Sequence, residues 1–275
     1  MILDDIITQK RKDLEELKRR FPAHRLQQAV LSFKRSKPRD FKKAISAPHG
    51  VNLISEIKKA SPSAGILRED FQPLRIANSY EAGGAAAISV LTEPHYFKGR
   101  PSYLRTVRQV TSLPILRKDF ILESYQLYET ALLEADAFLL IASILTDDEL
   151  RHLIQLGLEL KMEALVEVHA DEDLSKALYA GARIIGINNR NLRTLEVDAR
   201  SAKQLIPHVP KGIPIVIESG LQHYEEIMEY KSLGINAFLA GTVFMKSRDI
   251  VSTMNELLGR DRKWIKGSGG TYGQS

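Results

Sequence analysis

The sequence predicts an α/β fold, a (β/α)8 TIM barrel with an N-terminal helical extension, on three observations. From residue 51 onward, short β-rich runs alternate with helical patterns eight times. The runs begin near Val51, Ala85, Pro114, Ala137, Glu163, Ile184, Pro214 and Ala237, a spacing of roughly 21–34 residues that suits a strand and its return helix. The first run leads into Lys59-Ala60-Ser61-Pro62, not into the glycine-rich turn that marks a doubly wound open sheet.

Taken in chain order, residues 1–48 lie outside the repeat and carry two helical stretches, Leu3–Arg19 and Leu26–Arg35. So few residues make a poor core of their own, so they are expected to pack on the barrel. Thirteen lysines and arginines against six acids make this segment basic. Acids interrupt the charge between Lys10 and Arg20, and no aromatic side chains interleave to stack on bases, so a solvated helix face is expected and no nucleic acid. The barrel is expected over 49–260. Its helical patterns cover Leu74–Ala82, Ser102–Val110, Ser124–Ala135, Asp147–Leu160, Glu172–Ala180, Ala199–His208, Tyr224–Leu233 and Asp249–Leu258. Thr146 before Asp147-Asp148-Glu149 reads as an N-cap, and Gly83, Gly181, Gly234 and Gly259 read as helix stops. Residues 261–275, rich in glycine and serine, read as a flexible C-terminal tail.

Composition narrows the function. The chain has no cysteine, which excludes disulfides, thiol nucleophiles and cysteine-bound metals. His24, His49, His95, His152, His169, His208 and His223 show no HxH or HExxH spacing, so no metal is expected. The start Met1-Ile2-Leu3-Asp4-Asp5 lacks a secretory layout, and apolar runs such as Ala137 to Ala142 are too short to span a bilayer, so a cytoplasmic protein without membrane contact is expected.

In a (β/α)8 barrel, catalytic groups gather at the carboxyl ends of the strands. Those ends carry Glu56 and Lys58 with nearby Ser61, then Lys118 with Asp119 and Phe120, then Glu167, Asn188-Asn189-Arg190, and Glu218-Ser219-Gly220. Glu56 and Lys58 alternate onto one face of their strand, as do Leu116 and Lys118. Any one of these groups could be only a solvated strand end, and Asp119, which could be only a turn residue, is left out of the catalytic set. Recurrence at five strand ends points to proton transfer around an anionic substrate. Ser219-Gly220 and Gly241-Thr242, in the last two βα loops, could be ordinary tight turns. Together they favour a phosphorylated small molecule held by backbone N–H groups. A sugar-phosphate isomerase or aldolase using a Schiff-base lysine, and a non-catalytic phosphate or RNA binder, remain as alternatives.

Motifs in order then narrow these alternatives. Glu56-Ile57-Lys58-Lys59-Ala60-Ser61-Pro62-Ser63 with Gly65-Ile66, Leu116-Arg117-Lys118-Asp119-Phe120, Leu165-Val166-Glu167-Val168-His169, Gly186-Ile187-Asn188-Asn189-Arg190-Asn191-Leu192 and Glu218-Ser219-Gly220 strongly resemble indole-3-glycerol-phosphate synthase. The family is a (β/α)8 barrel with an N-terminal helical extension. It closes the pyrrole ring of 1-(2-carboxyphenylamino)-1-deoxyribulose 5-phosphate with loss of CO₂ and water, in tryptophan biosynthesis. The resemblance implies Lys118 as general acid, Glu167 as acid–base partner in dehydration and Glu56 as their support. It places Lys58 on a substrate anion or in proton transfer, and Asn188 and Arg190 at the anthranilate end. Glu218 and Ser219 would line the pocket, and Ser61, Gly220, Gly241 and Thr242 would hold phosphate. Phe120, Leu139 and Leu192 would pack the aromatic ring, with Leu239 completing the substrate contacts. The resemblance implies no cofactor and leaves room for association with other tryptophan-pathway enzymes. Asn191 departs from the Asp that many members carry there.

The loop from Lys59 to Pro73, with Ser61-Pro62 and Gly65, reads as a mobile cover over the site. Limited proteolysis within it should slow when a substrate analogue is bound. Equal cleavage rates with and without the analogue would remove that role.

Overall fold

A strand buried on both faces needs apolar residues at nearly every position, and parallel barrel strands are of that kind. Eight such segments form strands in the computed structural model, which describes residues 2–48, 50–190, 199–235 and 237–260. They are β1 (Asn52–Ile57), β2 (Ala87–Leu91), β3 (Ile115–Lys118), β4 (Ala137–Ile141), β5 (Glu163–Val168), β6 (Ile185–Asn188), β7 (Ile215–Glu218) and β8 (Ala237–Ala240). Each pairs in parallel with its sequence neighbours, and β1 pairs with β8 to close the barrel. The barrel expectation is met, and every strand begins within two residues of the position read from sequence. The tail from residue 261 and Leu192 lie outside the described residues.

The period-two alternation sorts the strand residues into two apolar bodies. Ile54, Ala87, Leu116, Ala137, Leu139, Leu165, Val216 and Leu239 point inward and fill the barrel. Leu53, Ile88, Ile115, Phe138, Val166, Ile187, Ile217 and Phe238 point outward against the helices. Those helices include α4 (Pro73–Ala82), α5 (Ser102–Arg108), α6 (Ser124–Leu132), α7 (Asp147–Glu159), α8 (Asp171–Tyr179), α9 (Ala199–Leu205), α10 (Tyr224–Ser232) and α12 (Ile250–Leu257). Thr146 caps α7 in a reciprocal capping box with Glu149. Gly181, Gly234 and Gly259 turn the chain out of their helices at positive φ; after α4 the turn is made by Gly84, one residue beyond the expected Gly83.

The segment before β1 wraps the barrel from mouth to base. Helix α1 (Ile2–Arg20) buries Leu3, Ile6, Lys10 and Leu14 along one stripe. Leu3 and Ile6 join the barrel's interior cluster. Helix α2 (Ala23–Ser32) packs beside α6, where Leu26 meets Leu122 and Tyr125. It ends at Ser32, short of the expected Arg35, because Arg35 is drawn onto the barrel instead. The Arg35 guanidinium donates to the carbonyl oxygens of Leu160 (2.7 Å) and Ala135, just before β5 and β4. The sequence reading missed two short helices, α3 (Phe41–Ile45) and α11 (Thr242–Lys246), and a hairpin pairing Ala60–Ser61 with Gly65–Ile66. Five residues are too few to show helical periodicity.

Helix α3 closes the base of the barrel. Asp40 caps it by accepting from the Lys43 N–H at 2.8 Å. Phe41 and Ile45 are completely buried beside the first residues of the strands. Asp136, at the start of β4, ties the base together. It accepts from the backbone N–H of Arg39 (2.8 Å) and Ile115 (2.9 Å) and pairs with Arg108 (2.7 Å). Truncating Phe41 to alanine should cost about 3–5 kcal/mol of stability, as for other large buried aromatics. Urea unfolding measures it, and a loss within error would mean that the plug is not part of the core.

Candidate active site

The side chains that point inward above the apolar layers of the barrel are charged. They belong to the last inward-facing positions of the strands, so the period-two alternation that buries Leu165 also aims Glu167 at the axis. The result is a cavity of about 530 Å³ at the carboxyl ends of the strands. Glu56, Lys58, Ser61, Lys118, Phe120, Leu139, Glu167, Asn188, Arg190, Glu218, Ser219, Gly220, Leu239, Gly241 and Thr242 all line it. These are the residues singled out in the sequence, apart from Leu192. A larger cavity of about 890 Å³ opens at the base, around Arg39, Lys42, Lys161 and Arg183. Volume therefore does not locate the chemistry here; the converging strand ends do.

Lys118 is the hub of the charged layer. Its Nζ lies 2.6 Å from Glu218 Oε2 and 3.5 Å from Glu167 Oε2. Burial opposes its charge, but the carboxylates of Glu218, Glu167 and Glu56 outweigh that and raise its pKa above the ordinary lysine value. The two glutamates part company. Burial pushes Glu218 up, Lys118 only partly offsets this, and the Glu167 charge adds to it, leaving Glu218 at about 7. Burial acts the same way on Glu167, but Lys118, His169 and a hydrogen bond from Asn188 Nδ2 (2.9 Å) hold it below its ordinary value. One buried carboxyl thus stays ionised while its neighbour can carry a proton near neutral pH. A second lysine has its own partner: Lys58 Nζ is 2.5 Å from Glu56 Oε2. Beyond the charges, Asn188 Oδ1 accepts from the Arg190 N–H (2.9 Å), which fixes the chain where it leaves β6.

Two glycines make room for the carboxylates. A methyl group on Gly186 would overlap Glu218 Oε1, and one on Gly241 would come within 2.6 Å of Glu56 Oε2. Gly241, read from sequence as a phosphate contact, therefore also has a packing reason to be glycine. Ser219 and Gly220 both adopt left-handed backbone angles, φ 69° and 81°, which turns the chain sharply across the mouth after β7.

The sequence reading overlooked the roof of the site. Ile2, Leu3 and Ile6 of α1 line the cavity. Helix α1 is held there by Lys10, whose Nζ reaches Asp119 Oδ1 at 2.7 Å; the two residues are 7% and 2% exposed. Asp119 also accepts from Thr92 Oγ1 (2.6 Å) and Arg117 Nη2 (3.0 Å). Burial would raise its pKa, but Lys10, Arg117 and these hydrogen bonds hold it far below the usual carboxylate range. Asp119 is thus a buried anchor, more than the plain turn residue the sequence allowed. Asp119 follows the last residue of β3 and borders the cavity, but its carboxylate is taken up by Lys10, Arg117 and Thr92. One sequence signal was present: Lys10 sits on the same helical stripe as Leu3, Ile6 and Leu14.

Gly186→Ala should destabilise the fold by about 1–3 kcal/mol through overpacking against Glu218. Most of that penalty should vanish when the same change is made in a Glu218→Ala background. A double-mutant cycle by chemical denaturation reads it out, and additive penalties would refute the contact.

With this geometry in place, comparison with known proteins is informative. The family model for indole-3-glycerol phosphate synthase matches residues 3–257. The indole-3-glycerol phosphate synthase of Campylobacter curvus (strain 525.92) is 45% identical over 259 residues, spanning 94% of this chain and 99% of its own length. The protein of that name from Acetivibrio thermocellus is 44% identical over 256 residues, covering 93% of this chain and 98% of its own. Among solved structures, KGPDC from Streptococcus mutans matches 80% of this chain and 100% of its own, with a TM-score of 0.60 at 14% identity. Thiamine phosphate pyrophosphorylase from Pyrococcus furiosus matches 80% of this chain and 98% of its own, with a TM-score of 0.57 at 17% identity. These two structural likenesses speak to the barrel alone. The sequence matches, nearly full-length on both sides, show that the chain belongs to the indole-3-glycerol phosphate synthase family.

Proposed function

We propose that this protein closes the pyrrole ring of 1-(2-carboxyphenylamino)-1-deoxyribulose 5-phosphate, releasing CO₂ and water and forming indole-3-glycerol phosphate. Family membership supports the reaction. The observation that carries the assignment of roles is the contact of Lys118 with both Glu218 and Glu167 on the wall of one cavity.

Ring closure needs the substrate folded so that an aromatic carbon meets the ketone carbon, and a proton for the ketone oxygen as the bond forms. Lys118 is suited to supply that proton, since an ammonium stabilises the developing oxyanion and then donates to it. Its two carboxylate neighbours keep it protonated, which also argues against a free-amine Schiff-base nucleophile there. The ring-closed intermediate loses CO₂ because the adjacent iminium-like centre accepts the electron pair, so decarboxylation asks only for orientation. Glu167, ionised and hydrogen-bonded to Asn188, is the base that removes the carbon-bound proton as hydroxide leaves as water. Glu56 holds Lys58 beside the substrate's anionic groups. Arg190 offers a fork of donors to the anthranilate carboxylate, and Phe120, Leu139 and Leu239 flank the ring. Ser61, Gly220, Gly241 and Thr242 receive the phosphate, beside the loops after β7 and β8 where barrels often bind it. Glu218 and Ser219 border the reacting centre.

A polar phosphorylated substrate fits a cytoplasmic setting. No described helix is long and apolar enough to cross a membrane.

Supplied with the carboxyphenylamino ribulose phosphate, the protein should generate indole fluorescence. Lys118→Ala should lower kcat by about 10²–10⁴-fold, the range for losing a transition-state proton donor. No product from the unaltered protein would overturn the reaction, and undiminished turnover in the variant would overturn the role of Lys118.

A further inference from the structure

We propose that His169 is the route by which a proton from solution reaches the buried acid–base pair of Glu167 and Lys118. The inference rests on the synthase reading above and adds to it a residue that acts through Glu167.

Charge balance shows why a route is needed. The substrate enters with an ionised carboxylate, which departs as neutral CO₂, while the phosphate keeps its charge. When the carbon–carbon bond forms, the ketone oxygen takes one proton. When the resulting hydroxyl leaves as water, its oxygen takes a second, and the carbon beside it gives one up. Each turnover therefore draws one proton from solution. That proton must restore groups that are nearly sealed: Glu167 and Glu218 are each 1% exposed, and the Lys118 side chain is 15% exposed. A substrate seated in the cavity lies across its mouth, so delivery from the cavity side is obstructed while chemistry proceeds.

His169 stands on the other side of Glu167. It follows β5 by one residue and does not line the cavity, yet its side chain is 21% exposed, so it bridges solvent and the buried carboxyl. Its Nε2 is buried, makes no hydrogen bond, and lies 3.3 Å from Glu167 Oε1. Buried polar nitrogens are nearly always hydrogen-bonded, so one without a partner calls for an explanation. The opposite nitrogen, Nδ1, faces Asp173 Oδ2 of α8 at 4.0 Å, and the same oxygen accepts from the His169 backbone N–H at 3.0 Å. Asp173 thus fixes the turn that presents the ring, and Glu167 and Asp173 are the ionisable groups facing it from β5 and α8. Glu167 has a division of labour between its oxygens: Oε1 meets His169 and Asn188, while Oε2 meets Lys118 at 3.5 Å. An imidazole can accept a proton at one nitrogen and release one from the other. Solvent protonates Nδ1, the Nε2 proton passes to Glu167 Oε1, and Glu167 hands a proton from Oε2 to Lys118. No bond between heavier atoms changes.

The test uses the full chain, with His169→Gln and His169→Asn, which keep polarity but cannot relay a proton. Both variants should lower kcat by at least about tenfold, less than the 10²–10⁴ expected for losing the transition-state donor itself. They should also enlarge the solvent deuterium isotope effect on kcat. Imidazole added to the assay should restore turnover in proportion to its concentration, with no such effect on the unaltered protein. A purely structural histidine would give lower kcat without rescue, and that result would overturn the proposal whatever the variants' unfolding midpoints. Unchanged kcat and isotope effect would overturn it equally. Absence of indole from the unaltered protein would instead remove the synthase reading, and this inference with it.

Discussion

One buried ammonium group organises the working end of this molecule. Lys118 Nζ is shared between Glu218 at 2.6 Å and Glu167 at 3.5 Å, and no other cation approaches either carboxylate so closely among the described residues, apart from what His169 can supply. Removing one partner from a buried ion pair typically costs about 3–5 kcal/mol, because a desolvated charge is left behind. Here two carboxylates depend on one cation, so they cannot be equally satisfied. Glu167 gains a hydrogen bond from Asn188 and stays ionised, while Glu218 is pushed up to about 7. Unequal sharing gives two residues of the same type different protonation tendencies.

The rest of the barrel can be understood as support for that arrangement. The inward-facing apolar layers, among them Ile54, Leu116, Leu165 and Val216, exclude water from below. The low-dielectric floor strengthens each interaction above it. Gly186 and Gly241 leave space that any side chain would take from Glu218 and Glu56. Asp136 and α3 brace the opposite face, where barrels place stability and not chemistry.

The N-terminal extension contributes at both faces. Phe41 and Ile45 plug the base, while Ile2, Leu3 and Ile6 close over the mouth. Its hold on the mouth is the pair Lys10–Asp119, next in sequence to Lys118. Lys118 faces the cavity and Asp119 the network of Arg117 and Thr92, so one strand end joins the roof helix to the lysine at the centre of the charged layer. This is a close-range mechanical link, built from charges too buried for salt to screen strongly.

By itself the sequence determined the barrel, its strand positions and the residues that meet at the strand ends, because each is a local matter. Period two aims Glu56 with Lys58, and Leu116 with Lys118, whatever the neighbours are. Fifteen of the sixteen positions singled out line one cavity, and Leu192 lies outside the described residues. What only the tertiary structure decided were relations between residues far apart in the chain. That Lys10 meets Asp119, that Gly186 makes room for Glu218, and that His169 approaches Glu167 from behind depend on how strands and helices are juxtaposed. Short helices such as α3 belong to the same class, since five residues carry too little periodicity to be read and are stabilised mainly by what they bury. The protonation order of Glu167 and Glu218 comes last of all. Two glutamates are chemically identical in sequence, and only burial, distance to a shared lysine and one asparagine hydrogen bond make them different.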